Sequence, residues 1–302
     1  LASIQLTGDF RRVMVDSFHE ASGFHHLLPP YCYRCPFGLE YPECGIACAE
    51  QVDYVIKNEG NVSALILEPV TGTNGVVVPP KEFLPRIREI TKERGVILID
   101  DEVMAGFGRT GEWFAVNHWK VEPDILTAAK GLTGAYTPLS LTGVSGEISD
   151  YFEDHYFAHG HTYEAHPLAM AAASAAIDEY KERGIIEHVK QMSPSFLARL
   201  EEIKEEHASV GDVRGIGLFG AVEIVKNRKT KEPFNTYEEK VSGKPLMVDL
   251  VAKQAMNKGV YINTWVSHFV IAPPLIIEKE DMEKGFNALD EALKISDREV
   301  EK

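Results

Sequence analysis

Three short apolar runs mark the first half of the chain: Val62 to Leu67, Val96 to Ile99 and Ile125 to Ala129. Each is too short for a stable helix, and the second is mostly β-branched. Runs of this kind predict strands buried on both faces, as in a parallel sheet. Between the first two, Phe83, Leu84, Ile87 and Ile90 fall at helical spacing, and Gly95 stops the pattern. Strand, helix and strand within about forty residues make a βαβ unit, which implies parallel pairing. Ala47 to Lys57 predicts an earlier helix with Val52, Val55 and Ile56 on one face and Gly60 past its end. Leu139 to Val144 predicts another short strand. A helix follows from Pro167, which suits the first helical turn, to about Arg183.

From Ile185 onward the pattern changes. A helix is predicted over Ile185 to His207, irregular at Ser193-Pro194. Turns at Gly211 to Gly220 lead to a strand ending at Val225, then a polar, Lys-rich loop from Lys226 to Lys244. A helix at Met247 to Met256, strands at Val260 to Asn263 and Phe269 to Ile271, and a helix at Glu280 to Lys294 complete the chain. Helices segregated against a few strands suggest a separate α+β domain. The expected organisation is therefore an α/β large domain over 1–185 and a smaller C-terminal α+β domain over 186–302.

Composition narrows the partners. The 302 residues are 44% hydrophobic and 25% charged, with a net charge of −15. So acidic a chain argues against nucleic acid and anionic membranes as partners. No apolar run approaches the length of a membrane span, and the expected compartment is the cytoplasm. Residues 10 to 46 have no period and read as a long loop of the functional kind. All four cysteines lie in it or at its edge: Cys32, Cys35, Cys44 and Cys48. Their spacing can be read as a zinc or iron–sulfur knuckle, or as reduced thiols in a cytosolic loop. The second reading is preferred, and no metal is expected.

The chemistry concentrates at two strand ends. The run ending at Ile99 gives way to Asp100, Asp101 and Glu102, and the run ending at Ala129 delivers Lys130 before Gly131. In open α/β sheets ligands sit at the carboxyl ends of strands. A lysine at one end and an aspartate at another suit pyridoxal phosphate: the lysine makes the Schiff base and the carboxylate pairs with the pyridinium nitrogen. Two stretches spell G-x-G-x-x-G, Gly106 to Gly111 and Gly215 to Gly220. Neither has the strand-then-helix context of a dinucleotide site, and both are read as turn glycines.

Asp101-Glu102-Val103-x-x-Gly106-Phe107-Gly108-Arg109-Thr110-Gly111, followed by Ala129-Lys130-Gly131, resembles the class III pyridoxal-phosphate aminotransferases. The resemblance covers essentially the whole chain and implies the fold type I architecture, a mostly parallel sheet in the large domain, and a homodimer. It makes Lys130 the Schiff-base lysine and proton-moving base, and Asp101 the partner of the ring nitrogen. Val103 is expected on the ring face and Met104 beside the cofactor. The threonine of His161-Thr162-Tyr163 is expected to cross the dimer interface to the partner's cofactor phosphate, although by local pattern Thr162 is equally a helix cap. Glu68 is expected either to orient Asp101 or to bond the loop after it. The opening residues resemble an internal segment, so an upstream part carrying the phosphate loop is expected to be missing.

Departures from the family pattern bear on substrate. Thr73 stands where some members have glutamate, Met104 where many have glutamine, and no arginine precedes Ala272-Pro273-Pro274-Leu275. Without that carboxylate clamp, the chain looks most like the ω-amino acid:pyruvate and taurine:pyruvate group. Arg34 and Arg109 are candidates for meeting substrate anions. The expected reaction moves an amino group from an ω-amino acid or amine, taurine or β-alanine among them, to a keto acid such as pyruvate. An aminomutase or lyase on the same cofactor is the alternative within the fold. A non-catalytic metal-binding or interaction module built on the Cys32–Cys48 loop is the alternative outside it.

Overall fold

The computed structural model describes residues 2–9, 12 and 23–301. Four strands form the first sheet: β1 (Ala64–Leu67), β2 (Ile97–Asp101), β3 (Ile125–Ala128) and β4 (Leu141–Val144), in that spatial order. β1, β2 and β3 run parallel, with Leu67 opposite Asp100 and Asp101 opposite Thr127. β4 returns antiparallel along β3, a direction that the apolar pattern alone does not specify. Helices α1 (Ala47–Glu59) and α2 (Phe83–Arg94) pack on one face of this sheet. Val52, Leu84, Ile87, Ile90 and Leu98 share their core. Gly95 ends α2 in the left-handed conformation, as its position after the last apolar residue predicts.

Alternation along β2 sorts its side chains. Leu98, Asp100 and, just beyond the strand, Glu102 are each no more than 2% exposed. Ile97, Ile99 and Asp101 lie on the other, more open face. A period of two therefore separates Asp101 from its acidic neighbours before any further packing is considered.

Helix α3 (Gly146–Asp154) follows β4, capped by Ser145, whose Oγ accepts from Ile148 N at 3.5 Å. It has no buried residues, and so little apolar period to reveal it. Helix α4 (Pro167–Glu182) carries proline in its first turn, and its cap is His166, not Thr162. Helix α5 (Ile185–Glu206) runs unbroken through Pro194, so the irregularity expected there does not interrupt it. Phe196, Leu200 and Ile203 anchor it in the C-terminal core.

The second sheet has the order β5 (Val210–Ile216), β6 (Phe219–Asn227), β9 (His268–Ile271), β8 (Asn263–Thr264), with β7 (Glu232–Pro233) beside β6. Val210 to Ile216, expected as turns, forms a strand because it pairs antiparallel with β6 almost residue for residue. Likewise β8 is only Asn263–Thr264, the part that pairs with β9, and not Val260 to Asn263. Helices α5, α6 (Met247–Asn257) and α7 (Lys279–Asp297) cover this sheet.

The two glycine-rich stretches meet each other. Gly217 turns β5 into β6 with φ +63°, and a Cβ there would come within 2.3 Å of the Thr110 carbonyl carbon. Arg109 Nη1 donates to Leu218 O at 2.9 Å and to Pro273 O at 2.7 Å. Leu218 N donates back to Arg109 O at 3.1 Å. These contacts join the loop after β2 to the second sheet.

Candidate active site

The end of β2 and the end of β3 are adjacent because the strands pair in parallel through Asp101 and Thr127. Asp101 Oδ1 accepts from Val103 N at 3.0 Å and from Thr127 Oγ1 at 3.4 Å. Its second oxygen has no hydrogen-bond partner among the described residues. Lys130 sits three residues beyond Thr127, exposed, in a 3₁₀ turn over Lys130–Leu132. Its φ is +45°, a conformation that non-glycine residues seldom adopt and that collects at functional sites. Gly131 beside it is tightly packed, since a Cβ there would stand 2.7 Å from Phe107 Cβ. Among the described residues the Lys130 ammonium forms no ion pair and no hydrogen bond.

Glu68, one residue past β1, completes the cluster. Its Oε2 accepts from Gly72 N at 2.8 Å, so it bonds the loop that follows it. Burial pushes its carboxyl up to about 7; Asp101 adds to the rise, while the Gly72 N–H and Lys130 oppose it. Glu68 thus stands within electrostatic range of both Asp101 and Lys130. Met104 packs under the same loop: Thr73 Oγ1 donates to its Sδ at 3.4 Å, and Gly72 has no room for a Cβ beside it. His268 Nε2 lies 3.1 Å from Thr73 O and ties β9 to this loop. An open cleft of about 1340 Å³ runs from Glu68 past Asn74 to Tyr31, Arg34 and His268. Neither Asp101 nor Lys130 lines it; Glu68 is where it meets the strand ends.

Other candidates are placed elsewhere. Arg34 gives Nε to Glu223 Oε1 and Nη1 to Lys231 O, each at 2.6 Å. Glu223 is also held by Tyr31 and by Arg214, with Arg214 Nη1 at 3.0 Å. Despite its burial, these partners keep the Glu223 carboxyl below its usual range. The Arg34 charge is therefore engaged by Glu223, with Nη2 left without a partner among the described residues, and Arg109 is a half-buried joint between the two sheets. Thr162 is exposed in a turn. The cysteines are free thiols, and burial pushes Cys48 up to about 11. Among the described residues, the one group of three metal-ligating side chains with ligand atoms within 4.8 Å of one another is Glu206, His207 and Asp290 at the end of α5.

From the sequence, Asp100 is only the alternative to Asp101 as partner of the ring nitrogen, and Glu102 has no role of its own. Both are buried behind Asp101. Neither Asp100 oxygen nor Glu102 Oε2 meets a donor among the described residues, whereas Glu102 Oε1 accepts from Val116 N at 2.8 Å. Burial pushes both carboxyls up, Asp100 to about 9, with each acid reinforcing the rise in Asp100. The period-two pattern held this signal, because two acids at i and i+2 on a strand share one face.

An aminotransferase class-III family model matches residues 7–293. The chain belongs to the class-III aminotransferase family. Among curated relatives it is 37% identical to a leucine/methionine racemase of Thermococcus litoralis, over 91% of this chain and 60% of that protein. It is 36% identical to a putrescine–pyruvate aminotransferase of Pseudomonas aeruginosa, over 87% of this chain and 56% of that protein. The structure of a taurine:2-oxoglutarate aminotransferase from Bifidobacterium kashiwanohense, in complex with PLP and glutamate, superposes with a TM-score of 0.92 at 36% identity. That match covers 99% of this chain and 67% of the other. The chain thus spans about 60% of the length of the curated relatives it matches. The class-III chain has the fold type I architecture, with a mixed, mainly parallel sheet in its large domain and a smaller C-terminal α+β domain, and its cofactor is pyridoxal 5'-phosphate. The residues present fit that group: an amine without a partner and a carboxylate with one oxygen to spare sit at neighbouring strand ends.

Proposed function

We propose that this protein is a pyridoxal-phosphate-dependent aminotransferase that takes an amino group from an ω-amino acid or amine and gives it to a keto acid, with pyruvate as the acceptor. The observation that carries the reading is the pairing of an unpartnered Lys130 with a half-buried Asp101 at the ends of β3 and β2. When bound, the cofactor supplies a carbonyl that condenses with an amine and a ring that accepts the electron pair left when the neighbouring carbon loses its proton. Asp101 holds a fixed negative charge for the protonated ring nitrogen. Val103 N and Thr127 Oγ1 grip one of its oxygens and leave the other to accept. Lys130 anchors the carbonyl at rest and, once displaced, moves the proton between carbon atoms. Val103 and Met104, two and three residues after Asp101, would wall the ring. Glu68, with its raised proton affinity, tempers the charge between Asp101 and Lys130.

Thr162 acts in a homodimer, reaching the partner's cofactor phosphate. The exposure of Tyr156 at 90% and Tyr163 at 81%, on either side of it, supports a covered interface there. The cytoplasm is the proposed compartment; among the described residues no helix is long and apolar enough to cross a membrane.

A second reading follows from the racemase relative: the same residues can return the proton to the same carbon without moving the amino group. Turnover of an amine donor with and without a keto acid separates the two. An absorbance change with donor and a strict need for a keto acid support the aminotransferase; loss of optical activity in a single amino acid without any acceptor supports the racemase.

A further inference from the structure

The strand that carries Asp101 carries a second carboxyl on each side of it, both turned to the opposite layer. Asp100 is 2% exposed and Glu102 1%. A buried ionised carboxylate needs a cation or several donors to offset the loss of water. Here β1 offers Leu67 opposite Asp100, and β3 offers Leu126 and Thr127. The turn at Ala115–Trp119 gives Glu102 backbone N–H groups only. The charged groups bearing on Asp100 are Glu102 and Asp101, both acids. Three oxygens of the pair meet no donor among the described residues. A proton carried by one carboxyl and given to the other satisfies two of them, as happens when two carboxylates share a site.

We propose that Asp100 and Glu102 share a single proton and, through it, act as positioning residues for Asp101. The proton ties Asp100 to Glu102, Glu102 Oε1 ties the strand end to Val116 N, and Asp101 is clamped between them on the opposite face. The pair then carries one negative charge instead of two, on the face opposite Asp101. Loss of the proton leaves two like charges buried side by side, drives the pair apart and frees the loop that carries Val103 and Met104. The effect on catalysis rests on the role assigned to Asp101 above; the shared proton does not.

Infrared spectra of the purified protein test the pair directly. In the Glu68→Gln protein, which lacks the other raised carboxyl, a protonated-carboxyl C=O band should be present at about neutral pH, bleach as pH rises towards about 10, and be lost when either Asp100→Asn or Glu102→Gln is added. Absence of the band in the Glu68→Gln protein, or its persistence with both added substitutions, overturns the proposal. Kinetics test the positioning role. In Asp100→Asn, whose amide donates to Glu102 but cannot ionise, the ratio of kcat/KM at about pH 9 to that at about pH 7 should rise at least about threefold over wild type. An unchanged ratio with the infrared result intact overturns the positioning role. Failure of the aminotransferase reading would show instead in Asp101→Asn and in the donor assays, with the infrared result unaffected.

Discussion

Lys130 is held in a left-handed backbone conformation that costs on the order of 1–2 kcal/mol for a residue with a Cβ. Such a cost is tolerated where the geometry serves a function. Borohydride treatment of the cofactor-loaded protein should fix pyridoxal phosphate on the peptide containing Lys130, and mass spectrometry showing the label on another lysine would remove the assignment. Asp101→Asn should keep the cofactor but lower kcat by about 10² or more, because a preorganised charge is lost where it is needed. Near-normal turnover would sink that role. Glu68 offers a test through pH. Its folded-state value of about 7 lies above its ordinary 4.5, so the folded state holds the proton more tightly than the unfolded one. The stability tied to that proton is present below about 4.5 and is lost as pH rises through about 7. Melting curves should show wild type losing ground to Glu68→Gln across that window, and parallel curves would contradict it.

Among the elements, the β5–β6 hairpin shows how a turn glycine is used. Gly217 needs both its positive φ and its missing side chain, because Thr110 fills the space. Gly184, with φ +59°, has nothing within 4 Å of where a Cβ would be. Gly184→Ala should therefore cost only about 1 kcal/mol, the conformational part. Gly217→Ala should cost clearly more, since the backbone of Thr110 cannot give way. Denaturant titration of the two variants checks this, and equal losses would mean that the joint yields easily. At the other end of α5, His207 is pinned between Asp297 Oδ2 at 2.6 Å and Asp290 Oδ1 at 3.1 Å, which fastens α5 to α7. Burial works against the Asp290 charge, yet the His207 contact holds that carboxyl below its ordinary value. The stability it adds is present above the unfolded value and is lost as pH falls through the folded one.

For the whole molecule, substrate choice follows from how charges are already committed. Arg34 and Arg214 are tied to Glu223, Arg109 to carbonyls at the joint, and His268 to Thr73 O. A donor whose amine is remote from its acidic group should therefore outperform glutamate in a panel of β-alanine, taurine, 4-aminobutyrate, putrescine and glutamate with pyruvate. If glutamate proves best and pyruvate is not used, the ω-amino acid reading is wrong, while the family stands.

The sequence by itself determined the βαβ core, the strand ends that carry Asp101 and Lys130, and the cofactor chemistry. Those depend on local apolar runs and on motif residues that lie close together along the chain. It also determined that Asp101 and its two acidic neighbours face opposite ways, since a strand alternates. Only tertiary structure decided that Val210 to Ile216 is a strand, because pairing with β6, itself held by the remote β9, outweighs its glycines. The same holds for the meeting of the two glycine-rich stretches, for the spending of Arg34 on Glu223, and for the lack of a cation beside Asp100 and Glu102 among the described residues. Each depends on which side chains arrive from far along the chain, and burial and charge at a site are sums over those arrivals.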